Sequence, residues 1–224
     1  MSNTGLVVLI VVVVVLAIAS AIFGYIRTQQ RRKAFAAWAA QHGYTYEIRD
    51  DRYNDMPWGD PFGNGFGRSA QDVLTSTTDR RRVLCFTYLY KTRSSNGKTS
   101  STQSHWFSIY SLGLPKALPE LRVEPEGFLS TIARAIGVHD IEFESEDFNR
   151  AFKVKGDDRK FAYDVINPQM MQFLMDTRAP GFATLGPDIV LVQSGKMDLE
   201  SVLPTVGYLD AVVARIPRFV WEAH

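Results

Sequence analysis

The chain has 224 residues, of which 46% are hydrophobic and 12% aromatic, a composition typical of a folded protein. Its 25 basic and 24 acidic side chains give a formal net charge of +1, which argues against a nucleic-acid-binding domain, since such domains carry a clear basic excess. The one cysteine, Cys85, excludes an internal disulfide framework.

An apolar segment near the start of the chain is long enough to cross a membrane. Residues 6–26 (Leu6 to Ile26) contain no charged side chain, and 21 residues at about 1.5 Å each reach across a bilayer core of roughly 30 Å. A cleavable signal peptide has a shorter apolar region behind a basic segment, whereas residues 1–5 contain no Lys or Arg. Small-residue patterns around Ala19 leave cleavage open as an alternative. We expect a retained transmembrane helix over 6–26.

Basic residues follow this helix directly, and they predict its orientation. They are Arg27, Arg31, Arg32 and Lys33. Lys and Arg close to a span remain on the cytoplasmic side. We therefore expect a single-pass protein of the cell membrane, with residues 1–5 outside and a cytoplasmic C-terminal domain. The first expected partner is the lipid bilayer, contacted through Leu6 to Ile26, with anionic headgroups near the four basic residues.

Residues 27–43 are expected to form a basic juxtamembrane helix that Gly43 ends. No Gly or Pro separates this segment from Tyr25, so the membrane helix can continue into it. Four of its side chains recur at helical spacing on one face: Phe35, Trp38, Ala39 and His42. This face either packs on the following domain or lies on the lipid surface.

Strand patterns dominate the next part of the chain, and three of these strands are expected to form an antiparallel meander over 68–112. The expected strands are 44–48, 68–78, 82–92 and 105–114. The segment 50–67 is rich in turn formers, and we expect a surface loop held by aromatic side chains: Tyr53, Trp58, Phe62 and Phe66. Leu114 to Pro119 predicts a turn, and 120–124 predicts a short fourth strand.

The second half of the chain mixes helices and strands. Gly127 to Gly137 predicts an amphipathic helix, 140–148 a strand followed by a turn, and 151–156 a short strand. A hairpin is expected around Gly186-Pro187. The whole pattern predicts one soluble α+β domain over 44–224, with a mainly antiparallel sheet and packed helices.

Capping residues predict where three of the later helices begin. Asp157 is expected to cap a helix over 158–166, and Asn167 the next helix, with Pro168 at its first position. Asp198 is expected to cap the last helix, which Pro204 would kink.

No pattern in the sequence indicates a catalytic, cofactor-binding or metal-binding site. The four histidines include no pair at metal-ligand spacing. The stretch from Ser95 to Lys98 matches S-x-x-K by letters but falls in a hairpin loop. Cys85 lies in the middle of a strand, where a small buried side chain is expected. We therefore expect no catalytic residues, no metal and no cofactor.

Charged and Met-rich stretches have structural interpretations as well as functional ones. Arg80 to Arg82 could bind an anion, but a charged hairpin turn is the simpler interpretation. Alternation places the three Glu of 142–146 on one strand face, which we expect to be solvated. The Met-rich segment 168–176 could be an adaptable binding surface, but its helical spacing favours core packing.

The segment Glu144 to Asp176 combines apolar and capping residues in a recognisable order: Phe148, Phe152, Val154, Ala162, Asn167, Pro168 and Met171. It resembles a bacterial family of membrane-anchored proteins catalogued only as a domain of unknown function, and the resemblance extends over about residues 120–220. Members of that family often have two spans, whereas this sequence predicts one. The resemblance implies a membrane anchor, and it implies no catalytic residue because the matching side chains are mostly apolar or cap helices.

These features predict a binding protein. We expect the cytoplasmic domain to bind an unknown partner at the membrane face, either a protein, a lipid headgroup or a small ligand, and no nucleic acid. One alternative is a membrane-tethered enzyme whose site gathers residues distant in sequence, which a cleft with converging polar groups would favour. Another is an exported or surface domain, if the apolar segment is cleaved or inserts the other way.

Overall fold

The computed structural model describes residues 3–78, 81–95, 97, 99–126 and 139–223. The chain divides into two compact units, Met1–Gly43 and Tyr44–His224. The helix predicted over 127–137 lies outside the described residues.

The first unit is one long helix, α1 (Asn3–His42), which runs for 40 residues without interruption. Its part Leu9–His42 is long and apolar enough to cross a membrane, with a mean hydropathy of 2.9 and an apolar window that is fully exposed. The predicted segments 6–26 and 27–43 are therefore parts of one continuous helix.

Polar side chains along α1 find partners within the helix itself. The hydroxyl of Ser20 donates to the carbonyl oxygen of Leu16 at 2.8 Å, which satisfies a polar group in an apolar segment. Further along, the guanidinium of Arg31 lies 4.5 Å from the ring centre of Phe35.

Within the described residues, the second unit contains a seven-stranded antiparallel sheet. Its strands are β1 (Thr45–Arg49), β2 (Phe66–Thr78), β3 (Arg81–Ser95), β4 (Ser100–Pro125), β5 (His139–Asp140), β6 (Phe152–Gly156) and β7 (Phe182–Ser194). The strand order is β1-β2-β3-β4-β6-β5, and β7 pairs with β4. The predicted meander is confirmed as β2, β3 and β4. The predicted fold class is also confirmed: α+β, with an antiparallel sheet, packed helices and a long apolar helix at the N-terminus.

Strand β4 is the central strand of the sheet, and along one of its edges the neighbouring strand changes from β3 to β6. Its residues 100–112 pair with β3, and its residues 121–125 pair with β6. Strand β7 pairs with the opposite edge of β4 in both parts. The two ends of the sheet therefore have different neighbours around the same central strand.

Two predicted chain reversals are wrong. The turn predicted at Leu114 to Pro119 is a pair of register shifts inside β4, and the hairpin predicted around Gly186-Pro187 is a continuation of β7. The irregular parts of the two strands face each other, with Leu118 opposite Gly186. Proline interrupts a ladder because it lacks an N–H, but two strands that bulge at the same level can continue.

Short helices connect the later strands. The described ones are a 3-10 turn at Asp51–Tyr53, α2 (Glu146–Ala151), α3 (Arg159–Val165), α4 (Pro168–Thr177), α5 (Leu199–Val213) and α6 (Arg218–Ala223). Helix α2 corrects the turn predicted within 140–148: the side chain of Ser145 accepts the N–H of Phe148 and begins a helix there. Helix α5 continues across Pro204, and α6 was not predicted.

The predicted helix caps are largely confirmed. Asn167 caps α4, with Pro168 in its first turn, and Asp198 caps α5. For α3 the cap is Asp158 and not the predicted Asp157, because it is the Asp158 carboxylate that accepts the N–H of Phe161 at 2.9 Å. Aspartate and asparagine suit these positions because their short side chains reach a backbone donor two or three residues on.

The sheet buries side chains on both faces. One face, here named the loop face, carries a cluster with the loop that follows β1: Trp58, Phe62, Ala70, Val73, Leu84, Phe86, Tyr88, Tyr90, Phe107, Ile109 and Val190. The opposite face carries the alternate residues of β3, among them Val83 and Cys85, and α5 packs against β4 there. On that side the hydroxyls of Tyr110 and Ser201 lie 2.6 Å apart.

Candidate functional site

A small cleft on the loop face combines apolar walls with charged side chains. Its volume is about 40 Å³, which is well below the several hundred cubic ångströms, on the order of 300–1,000 Å³, of typical small-molecule sites. It lies between the loop after β1 and the strands β4 and β7. Its lining residues are Trp58, Pro61, Phe107, Arg122, Val123, Glu124, Pro125, Pro180, Phe182, Ala183, Leu185, Val190, Leu191, Val192 and Ser194.

The loop wall of the cleft is anchored by aromatic packing. Trp58 and Phe62 are buried, with ring centres 5.8 Å apart, and the ring of Phe62 lies 4.5 Å from that of Tyr88. The hydroxyl of Tyr88 donates to the carbonyl oxygen of Asn54 at 3.1 Å. Burial raises the pKa of Tyr88 to about 12, so it remains a neutral donor at physiological pH. The loop is therefore held against the sheet at two points.

Of the four aromatic residues predicted to hold this loop, Phe66 does not do so. Tyr53 stacks on Phe86 with ring centres 5.7 Å apart, which together with Trp58 and Phe62 confirms three of the four. Phe66 is 43% exposed, and the guanidinium of Arg93 lies 5.5 Å from its ring centre. Phe66 is the first residue of β2, so strand pairing with Lys91 fixes its direction.

Arg122 is the buried cation of the cleft, with a side chain that is 7% exposed. Its Nη2 donates to the carbonyl oxygen of Trp58 at 3.0 Å, and its Nε donates to Oε1 of Glu120 at 2.7 Å. Gly59, with φ at +73°, lies against the guanidinium, and a Cβ there would stand 3.1 Å from Nη2, a tight contact. Arg122 therefore connects the loop after β1, which forms one wall of the cleft, to strand β4.

A second ion pair lies beside Arg122 on the same strands. Nζ of Lys155 stands 3.7 Å from Oε2 of Glu124, and both side chains are largely buried. Lys155 is directly opposite Arg122 in the β4–β6 pairing, so the two pairs are neighbours. The two ion pairs together carry no net charge. The cleft therefore combines apolar walls with a hydrogen-bond donor, Arg122, and an acceptor, Glu124. Among the described residues that line it, none is Cys, His or Asp.

Cys85 is buried as expected, on the sheet face opposite the cleft. Burial raises the pKa of its thiol well above its ordinary value, and a protonated thiol is a poor nucleophile. The geometry therefore separates the cysteine from the cleft. Ser95, the other nucleophile considered, is exposed at the end of the β3–β4 hairpin.

The histidines lie apart in the described chain. Nδ1 of His42 is 2.8 Å from the carbonyl oxygen of Trp38 on α1, and Nε2 of His105 is 2.8 Å from the hydroxyl of Thr92 in the sheet. In the part of the chain that the structure describes, no three His, Cys, Asp or Glu side chains form a group that could hold a metal ion.

In the basic stretch, Arg81 and Arg82 belong to β3, and Arg80, with the hairpin turn predicted there, lies outside the described residues. The Met-rich stretch packs in the core, as the simpler interpretation predicts. Arg81 pairs with Asp210, and Arg82 with the buried Asp188 at 2.9 Å. In the Met-rich helix α4, Met170 and Leu174 are fully buried. The three Glu of 142–146 are exposed as expected, but the predicted strand is wrong there: β5 ends at Asp140, and the last Glu begins α2.

Arg122 was not predicted from the sequence as a candidate. The signal was present, because Glu120, Arg122 and Glu124 alternate with apolar residues and so share one face of the strand predicted over 120–124. Nothing local marks that face as buried, since the residue that covers it, Trp58, is 64 positions away.

The comparisons with known proteins identify a similar fold and no family. No protein-family model matches the chain, and no curated protein matches it. Among solved structures, the chain is similar to the crystal structure of the mycobacterial trehalose monomycolate transport factor A, TtfA. The TM-score is 0.53 at 12% sequence identity, over 83% of this chain and 90% of that chain. At this identity the likeness concerns the fold alone.

Proposed function

We propose that this protein is a single-pass membrane protein that presents a cytoplasmic binding domain at the membrane face. The observation that carries the proposal is α1, a 40-residue helix whose apolar window is exposed on all sides. Apolar surface of this extent is unfavourable in water and favourable in a bilayer. The helix continues past the apolar part into Arg27, Arg31, Arg32 and Lys33, which favour a cytoplasmic location for the domain that follows.

The cleft supports binding as the activity of this domain. Its walls are mainly apolar, and its charged side chains are paired in ion pairs, with Arg122 bonded to Glu120 and Lys155 close to Glu124. At about 40 Å³ the cleft can accept a single side chain or small group of a partner, not a whole small molecule. Nucleophilic or general acid–base chemistry needs a reactive group facing the substrate. The buried thiol of Cys85 lies on the other sheet face. Glu124 and Ser194 do line the cleft, with Glu124 paired to Lys155.

The comparison with TtfA supports the same role. TtfA is named a transport factor, and its fold likeness favours a binding or accessory protein associated with a membrane. We further propose that the chain belongs with the bacterial membrane-anchored family of unknown function that Glu144 to Asp176 resembles. The first proposal rests on a likeness in fold and the second on a likeness in sequence motif, and neither assigns a catalytic role.

Protease protection tests the anchor and its orientation together. The full chain, carrying a C-terminal tag, is expressed in bacteria, and spheroplasts are treated with protease before and after detergent. We expect the tag to survive until detergent is added, and the chain to keep its full mass and to remain in the membrane after carbonate extraction. A tag digested in intact spheroplasts would contradict the cytoplasmic location. A chain shortened by about 2–3 kDa, the mass of a cleaved leader ending near Ala19 or Ala21, would contradict the anchor.

A further inference from the structure

Strand β1 is an edge of the sheet, because β2 is its neighbour on one side and no described strand pairs with its other side. The backbone amide of Asp50, directly after β1, donates to the carbonyl oxygen of Ala70 in β2 at 3.2 Å. Since backbone groups alternate between the two sides of a strand, Thr45, Glu47 and Arg49 direct their N–H and C=O groups away from β2. An edge of this kind is a template for another strand.

The side chains of β1 are exposed and carry opposite charges two residues apart. Glu47 is 46% exposed and Arg49 is 55% exposed, and alternation places both on one face of the sheet. Ile48, on the other face, is 48% exposed. Within the chain, Oε1 of Glu47 lies 3.5 Å from Nη2 of Arg52. Nε of Arg49 lies 2.6 Å from Oδ1 of Asp51. Both ion pairs are exposed and therefore weak, so the strand can exchange them for pairs with another chain.

These residues make the edge of β1 complementary to itself. When two copies of β1 run antiparallel with Ile48 on the two-fold axis, Glu47 of each copy lies directly opposite Arg49 of the other. Two ion pairs then form on one face and the two Ile48 side chains meet on the other, and both kinds of cross-strand pair are stabilising. The same register pairs the outward N–H and C=O groups of Glu47 and Arg49. A register with Glu47 or Arg49 on the axis would place like charges opposite each other.

We propose that this protein forms a two-fold symmetric dimer in which the β1 edges of two copies pair antiparallel across Ile48. The partner of the edge is a second copy of this chain, which goes beyond the proposed function. A symmetric contact of this kind closes after two copies. Anchoring in one membrane favours the dimer, because confinement to a surface raises the effective concentration of the copies.

Disulfide cross-linking of the full chain in phosphatidylcholine vesicles tests the register. Ile48→Cys places the new thiols at a directly opposite, non-hydrogen-bonded pair with Cα atoms about 4.5 Å apart, a distance that a disulfide spans. Thr45→Cys is the matched control: residue 45 is also exposed, but the register holds its two copies about 20 Å apart. We expect mild oxidation to cross-link Ile48→Cys at least about tenfold faster than Thr45→Cys. The parent chain, in which Cys85 is buried, should not cross-link.

Charge reversal tests the two ion pairs, with the cross-link at residue 48 as the readout. Glu47→Arg places arginines opposite each other at both pairs, and Arg49→Glu does the same with glutamates. We expect each variant alone to cross-link about tenfold more slowly. An equimolar mixture of the two, carrying different tags, should form the mixed dimer at the rate of Ile48→Cys alone, because every pair is then complementary. Lys153→Glu reverses an exposed charge on β6 and should change nothing.

Sedimentation of the full chain in detergent gives its mass independently of any new cysteine. A dimer mass that falls to that of a monomer in Glu47→Arg supports the pairing. A chain that stays monomeric, equal cross-linking at residues 45 and 48, or a mixture that fails to restore the cross-link overturns it. A dimer that neither charge reversal weakens also overturns it, since the copies then meet elsewhere. Carbonate extraction of the vesicles reports on the anchor separately. Unfolding midpoints of each variant close to that of the parent chain exclude loss of fold as the cause.

Discussion

The carbonyl oxygen of Trp58 accepts a hydrogen bond from Nη2 of Arg122 at 3.0 Å, although 64 residues separate them. The contact joins the loop after β1 to the part of β4 that follows its register shifts. Gly59 beside it leaves room for the guanidinium. The shape of the cleft therefore depends on a charged side chain in the core, and the consequences of removing it are measurable.

Arg122→Met is expected to destabilise the domain by about 2 kcal/mol, because it leaves the Trp58 carbonyl without this donor and Glu120 without its cation. Glu120 is 40% exposed and regains water, which limits the loss. Lys153→Met on β6 is the matched control, because its 3.1 Å pair with Glu126 is half exposed (52% and 44%) and is worth less than about 1 kcal/mol. Denaturant unfolding of the full chain in detergent, followed by tryptophan fluorescence, measures both. Equal losses would contradict the role assigned to Arg122.

Gly181→Ala is expected to be strongly destabilising. Gly181 has φ at +87°, and a Cβ there would collide with the carbonyl oxygen of Val123 in the neighbouring strand. Gly63 has nearly the same φ, +83°, and a Cβ at that position would meet no atom within 4 Å, so Gly63→Ala controls for backbone strain alone. We expect Gly181→Ala to cost at least about 2 kcal/mol more than Gly63→Ala in the same unfolding measurement. A similar loss in the two variants would mean that the strands separate easily at this point.

The sequence correctly predicted the features that depend only on residues close together in the chain, such as helix caps. Asn167 followed by Pro168 correctly predicted the start of α4, because a side-chain cap acts on a donor only three residues away. Asp198 did the same for α5. The meander of β2, β3 and β4 followed from apolar runs separated by polar turns, which fix antiparallel neighbours over short distances.

The sequence predictions were wrong where the local structure depends on the neighbouring strand. Pro115, Pro119 and Pro187 each suggest a turn, and whether a chain turns or bulges there is decided by a partner that the local sequence does not contain. The cleft is non-local for the same reason, since its walls come from segments around Trp58, Arg122 and Ala183. Composition indicates a folded domain, but only the fold brings these residues together.

Asp50 is expected to make stability depend on pH in the acid range. Hydrogen bonds from the Arg52 side chain hold the pKa of Asp50 below its ordinary value, with Nε to Oδ2 at 2.9 Å. The unfolded chain then binds more protons, so this contribution is complete above the unfolded pKa of about 3.9 and is lost as the pH falls through the folded value. Asp50→Asn should flatten the pH dependence of the free energy of unfolding below about pH 4.

The partner variant Arg52→Gln provides the control for this acid dependence. Because the pKa of Asp50 is lowered chiefly by Arg52, Arg52→Gln alone should produce most of the same flattening. Adding Asp50→Asn to it should then change the slope little. Independent and additive effects of the two substitutions would show that another group sets the pKa of Asp50.

Cys85 is expected to resist thiol reagents in the native chain. The side chain is fully buried, and burial raises the pKa of the thiol, so little thiolate is present or accessible at pH 7. Maleimide labelling of the full chain should be at least about a hundredfold slower than after denaturation, because it requires local opening. Ser94→Cys, exposed in the β3–β4 hairpin, is the control that should label at once. Rapid native labelling of Cys85 would mean that this strand opens readily.

The basic part of α1 is expected to set the orientation of the chain in the membrane. Replacing Arg27, Arg31, Arg32 and Lys33 with Gln, and Ser2 and Asn3 with Lys, should invert most molecules, because Lys and Arg are retained on the cytoplasmic side when they lie within about 15–20 residues of a span. The C-terminal tag should then be digested in intact spheroplasts. Four distant and exposed arginines replaced with Gln are the control and should leave the tag protected: Arg150, Arg159, Arg178 and Arg218. Protection that persists after the charge exchange would place the determinant of orientation in the folded domain.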